Sequence, residues 1–170
     1  SDEIKDFPVS EISNFPWKNK DDVIPESHVG FFAVEGEGIH AVLWSFEEDV
    51  LCNCTKRDDP VYTDSCLEVF LMPVENDKRY INFEVNRNGV YLSEIGTCRA
   101  DRVFISTLTD IEPTIETMEI TENGKTAWGY EIIIPEALIS ELYGVDYHVD
   151  ESTIKGNFYK SRLIKIEVAL

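Results

Sequence analysis

The chain has 170 residues, 43% hydrophobic and 11% aromatic, enough apolar material for one compact domain with a sizeable core. Its 33 acidic against 15 basic residues give a formal charge of −18, which repels polyanions and argues against nucleic acid or an anionic bilayer as partner, leaving neutral ligands, cations and basic partners. No run approaches the roughly 18–20 apolar residues of a membrane-spanning helix, and the first thirty residues lack a basic-then-apolar signal pattern; residence is secreted or cell-surface if a signal has been removed, cytoplasmic otherwise.

Residues 1–29 are polar and carry Pro8, Pro16 and Pro25, so they are expected to wrap the domain as extended chain pinned by Phe7, Phe15 and Trp17. The domain proper is expected over 30–170. From Gly30 short apolar runs alternate with turn residues: Gly30 to Val34, the turn Glu35-Gly36-Glu37-Gly38, then Ile39 to Phe46, a β-hairpin whose second strand is apolar on both parities and therefore central.

After a polar loop, Glu47 to Pro60, Cys66 to Met72 alternates Leu67, Val69 and Leu71 with Cys66, Glu68 and Phe70. Tyr80 to Asn86 sets Ile81, Phe83 and Val85 against Asn82, Glu84 and Asn86, so the pair reads as a hairpin with one wet face. Asn88-Gly89 turns the chain into Val90 to Ser93. Further strands are expected at Arg102 to Leu108, Ile115 to Thr121 and Trp128 to Ile134, with Asn123-Gly124 as the turn before the last. Only Pro135 to Tyr143 reads as a helix, with Pro at its first position and Gly144 ending it. One short helix among eight or more strands predicts an all-β, antiparallel β-sandwich of jelly-roll or immunoglobulin-like type.

Cys52, Cys54, Cys66 and Cys98 include one CxC and no CxxC, with no nearby His to complete a zinc set; buried free thiols are expected. Asp58, Asp59 and Asp64 are candidate calcium donors without EF-hand spacing. The polar face of the hairpin is the most informative pattern. Glu68 is placed opposite Asn82, Glu84 or Asn86, and carboxylates and amides on rigid strands suit sugar hydroxyls, which both donate and accept. Nothing in the sequence gives Glu68 and Glu84 the geometry of a glycosidase pair, and no GxSxG, HExxH, P-loop or GxGxxG occurs.

Tyr62-Thr63-Asp64-Ser65-Cys66-Leu67-Glu68-Val69-Phe70, followed by Tyr80-Ile81-Asn82-Phe83-Glu84-Val85-Asn86 and Gly89, resembles family 9 carbohydrate-binding modules and their DOMON-like relatives. Trp128 to Pro135 and Gly156-Asn157-Phe158-Tyr159-Lys160 are similar to later elements of the same group. The resemblance implies a DOMON-like sandwich that binds a mono- or oligosaccharide without cleaving it, its terminal sugar clamped between two aromatics. By motif position Tyr62 stands where the first clamp Trp is usual, Glu68 matches an acid that bonds sugar hydroxyls, and Asn86 or Arg87 falls near a further polar contact. The second clamp aromatic has no counterpart after Ser161-Arg162-Leu163, so Trp44 or Trp17 is expected to replace it. The alternatives are a DOMON-like haem or small-molecule carrier, with His40 and Met72 as candidate axial ligands, and an interaction domain with a degenerate sugar site.

Overall fold

The computed structural model describes residues 7–13, 22–149, 154–161 and 164–165. Two five-stranded antiparallel sheets face each other. The first contains β1 (Val9–Glu11), β3 (Ser27–Val34), β4 (Gly38–Ser45), β9 (Thr114–Glu122) and β10 (Lys125–Pro135), in the order β1-β3-β4-β10-β9. The second contains β5 (Cys66–Met72), β6 (Tyr80–Asn86), β7 (Tyr91–Gly96), β8 (Val103–Phe104) and β11 (Lys155–Lys160), in the order β11-β5-β6-β7-β8. A two-residue strand β2 (Asp22–Val23) pairs with β12 (Ile164–Lys165), and one helix, α1 (Glu136–Tyr143), follows β10.

The core is the predicted alternation made physical. Ile39, Ala41 and Leu43 from β4 and Tyr130, Ile132 and Ile134 from β10 face Leu67, Val69, Leu71, Ile81, Phe83 and Val85 from the second sheet, all fully buried. Burying each large apolar side chain stabilises the fold by about 1.5–3 kcal/mol. Tyr130 satisfies its buried hydroxyl by donating to the Leu67 carbonyl at 2.8 Å, a bond between the sheets.

The elements depart from the sequence reading where local pattern yields to long-range packing. Residue 29 lies inside β3, and β1 is the edge strand of the first sheet, so the described part of the N-terminal segment is built into the sandwich. Phe7 pins it by stacking on Phe32 at 5.1 Å; Phe15 and Trp17 lie outside the described residues. The strand expected over 102–108 is only Val103–Phe104, because Ile105 turns inward to full burial and Ile105–Thr107 forms a 3₁₀ turn closed by the Thr107 hydroxyl on the Phe104 carbonyl. Pro135 caps α1 from the end of β10 rather than opening it, and Gly144 ends it in the left-handed region. All four cysteines are free; Cys54 and Cys66 are buried as expected, whereas Cys52 is partly buried and Cys98 exposed.

Candidate functional site: a cleft on the outer face of the second sheet

The second sheet turns Glu68, Phe70 and Met72 of β5 away from the core, together with Tyr80, Asn82, Glu84 and Asn86 of β6, because strand side chains alternate between faces. The antiparallel register then aligns rows across the strands. Tyr159 lies opposite Glu68 and Glu68 opposite Glu84; one row along, Asn157 meets Phe70, Phe70 meets Asn82 and Asn82 meets Glu94. This face is covered rather than wet: Glu68 is 7% exposed, Glu84 5%, and Asn82 and Asn86 are fully buried.

Loops make the cover. The β7–β8 turn folds back over the sheet at Gly96, where an added Cβ would come within 2.8 Å of the Arg102 Cα, so only glycine admits the approach. Asp101 holds that turn, accepting the Thr97 and Cys98 amides at 2.8 Å each and the Thr97 hydroxyl, bonds that lower its carboxyl below the ordinary value. On the other side the 3₁₀ turn Val61–Thr63 presents Tyr62, 54% exposed. Between these walls opens a cleft of about 1160 Å³. Its aromatics are Tyr62, Phe70, Tyr80 and Tyr159, with Phe70 edge-on to Tyr159 at 5.3 Å and tilted against Tyr80 at 5.7 Å. Its charged groups are Glu68, Glu84, Glu94, Arg99, Arg102 and Lys155.

The floor is electrostatically strained. Burial, then the charge of Glu68, pushes the Glu84 carboxyl up to about 7, and burial likewise raises Glu68. Glu68 accepts the Ser161 hydroxyl and lies 3.8 Å from the Cys66 thiol. Glu84 Oε1 accepts the Asn82 amide at 3.1 Å, and Arg102 bridges to Glu94 at 3.3 Å. Most buried polar atoms in proteins are satisfied, yet two in residues that line the cleft, Glu84 Oε2 and Arg102 Nε, have no partner within the protein, and neither has Asn82 Oδ1, which shares the face of Glu84 but does not line the cleft. Glu68 and Glu84 stand side by side on adjacent strands of one face of the sheet.

Of the residues named from sequence, Tyr62 and Glu68 both line the cleft. Asn86 shares the face of Glu84 but not the cleft: its amide donates to the Cys54 carbonyl and to Asp64, and its Oδ1 accepts the Asn88 and Val90 amides, so it is an architectural tie. Arg87 sits in the exposed β6–β7 turn and pairs with Glu119 of β9 at 2.7 Å. Trp44 belongs to the other sheet. On β4 the even positions turn outward, and Trp44 is buried there against Val42 and Ala127 and stacked on His28 at 5.3 Å.

The two candidate haem ligands are likewise separated. Met72 lines the cleft, whereas His40 faces outward from the first sheet between Glu131 and Glu37, at 2.8 and 3.3 Å. No axial pair is assembled. Each calcium candidate accepts hydrogen bonds within the protein: Asp64 from the Asn53 and Cys54 amides, Asp59 through Oδ2 from the Thr55 and Lys56 amides, and Asp58 from the Ser93 amide and the Ser106 hydroxyl. Burial opposes ionisation of Asp64, yet these amides and Asn86 lower it.

Sequence reasoning missed Glu94, Arg102 and Tyr159. Tyr159 lies in the Asn157-Phe158-Tyr159-Lys160 element, and its parity on β11 was the available signal. Nothing local marks Arg102, whose place depends on the fold-back at Gly96.

A solved protein from Bacteroides uniformis ATCC 8492, a proposed carbohydrate-binding protein, superposes with a TM-score of 0.68 at 24% identity over 91% of this chain and 71% of its own, a likeness of fold. No curated protein matches the chain. The profile of carbohydrate-binding family 9 matches residues 5–163, nearly the whole sandwich, and the chain therefore belongs to carbohydrate-binding family 9, a family of non-catalytic sugar-binding modules.

Proposed function

We propose that the cleft on the second sheet is the saccharide site, with the sugar ring resting on Tyr62 and Tyr159 and its hydroxyls bonded by Glu68, Glu84 and Arg102. The observation that carries this reading is the set of unpartnered atoms on the floor. A carboxylate oxygen of Glu84 and a guanidinium N–H of Arg102, both buried in residues that line the cleft with the exposed Tyr62 ring, want a ligand that both donates and accepts. Vicinal hydroxyls meet that requirement, and the C–H face of a pyranose matches an aromatic ring. Tyr159 takes the role of second aromatic that the sequence assigned to Trp44 or Trp17, and Glu84, Glu94 and Arg102 take the polar role assigned to Asn86 or Arg87.

Calorimetric titration with a panel of mono- and oligosaccharides tests it. Binding of at least one sugar, lost in Tyr62→Ala and weakened in Glu68→Gln, is the expected result. Absence of heat from every sugar at millimolar concentration, or binding that Tyr62→Ala leaves intact, overturns it.

A further inference from the structure

The charge balance of the cleft floor carries a more specific reading, which rests on the saccharide assignment above. Glu68 and Glu84 are cross-strand partners, and Glu94 stands on the next strand, one row along. Against these three acids the floor holds one cation, Arg102, bridged to Glu94. Lys160, whose charge also reaches Glu68, points to the interior and bridges to Glu47 at 3.1 Å. Arg99 and Lys155 occupy the exposed rim, where water and salt screen them. Among the described residues no cation lies within ion-pair distance of Glu68 or Glu84, and Glu84, which lines the cleft at only 5% exposure, holds a carboxylate oxygen without a protein partner.

A neutral sugar satisfies hydrogen bonds there but leaves two like charges side by side in a poorly hydrated floor. A compact ammonium group supplies three donors and the missing charge together. Arg102 Nε asks for an acceptor, which a bare cation or a simple alkylamine lacks and a ring hydroxyl provides. The exposed Tyr62, and Tyr159 set perpendicular to Phe70, add electron-rich faces that attract a cation as well as a ring. We propose that the saccharide taken by this cleft is an amino sugar with a free amine, its ammonium set against the Glu68–Glu84 pair and its hydroxyls toward Arg102.

The test is calorimetric titration of the whole chain at pH 7.5 with glucosamine, galactosamine and mannosamine, each beside its N-acetyl form and its neutral parent hexose. At least one free amine binds about tenfold more tightly than both counterparts, the margin separating charge-assisted from neutral hydrogen bonds. That preference shrinks at pH 5.5, as the pair takes up a proton, and disappears in Glu84→Gln, a near-isosteric change whose folding is checked by its unchanged circular dichroism spectrum. Neutral hexoses binding as tightly as the amines, or an amine preference that survives Glu84→Gln, overturns the amino-sugar proposal and leaves the saccharide site standing. Failure of all nine sugars and of longer oligosaccharides overturns both.

Discussion

Glu68 on β5 and Glu84 on β6 are directly paired across adjacent antiparallel strands, with both carboxyl groups buried in the floor of one cleft. Like charges directly opposite on a sheet destabilise it, so the pair ties the binding floor to stability. Glu84 has a folded-state value of about 7 against an ordinary 4.5. The folded protein therefore keeps a proton that the unfolded chain releases between those values, and the stabilising contribution, fully present below 4.5, is lost as pH rises through 7. Unfolding free energy should fall by on the order of 2–3 kcal/mol between acidic and mildly alkaline pH from this group. Glu84→Gln should flatten that dependence and stabilise the protein at pH 8, as read from urea unfolding at several pH values. Asp64, lowered by its amide bonds, acts in the opposite sense and in a lower window, losing its contribution as pH falls below its unfolded value of 3.8.

Tyr62 is more than half exposed and appears in none of the buried clusters, so its removal should separate binding from folding. Tyr62→Ala is expected to weaken sugar binding about tenfold or more through loss of the ring platform, with stability changed by less than about 0.5 kcal/mol. Trp44→Ala should behave in reverse, costing about 3 kcal/mol of stability through the cavity it leaves while the affinity of the folded fraction is retained. Parallel calorimetric and thermal measurements on the two variants distinguish them.

Asn86 is read best as a tie between the loop before β5 and the turn after β6. Its side chain makes four hydrogen bonds, at 3.0–3.2 Å, to Cys54, Asp64, Asn88 and Val90. Asn86→Ala leaves the Asp64 carboxylate and two backbone amides short of a partner, so we expect a loss of about 2 kcal/mol or more. Hydrogen exchange should rise at the Asn88 and Val90 amides. Unchanged stability with abolished sugar binding would instead return Asn86 to the site.

The contrast between Glu68 and Asn86 marks how far the sequence could be read. Period-two alternation in β5, β6 and β10 made their faces legible, and with them the core residues and the outward direction of Glu68. Alternation says which face a side chain takes, but not what covers that face. Asn86 and Glu84 share a parity and differ in neighbours supplied by distant loops. Trp44 was placed near Tyr62 because nothing local in β4 says which sheet it joins; that follows from pairing with β3 and β10, the latter some ninety residues away. Arg102 reaches the floor through a fold-back at Gly96, a steric fact about two backbones that no residue pattern announces.

The last strand links the interior to the cleft through consecutive residues. β11 carries Tyr159 outward, opposite Glu68, and Lys160 inward, fully buried with its ammonium 3.1 Å from Glu47 and 5.9 Å from the Trp128 ring centroid. Glu47 also accepts the Ser65 hydroxyl at 2.9 Å and the Trp128 indole N–H at 3.2 Å, so its charge is held by three donors. Among the described residues β11 is the edge strand of its sheet, paired with β5, and this buried ion pair helps fix its end together with the Ser161 amide bond to the Cys66 carbonyl. Removing one partner leaves an uncompensated charge in the interior, and Lys160→Met should destabilise by about 3–5 kcal/mol. Adding Glu47→Gln should recover much of that loss, since the buried charge is gone and the amide can accept the Trp128 indole N–H through its oxygen while its NH2 donates to the Ser65 hydroxyl. If the ion pair also positions Tyr159, the double variant, though nearly as stable as the parent, should bind sugar several-fold more weakly. Measuring urea unfolding and sugar affinity on both variants separates the contribution of Lys160 to folding from its contribution to the cleft.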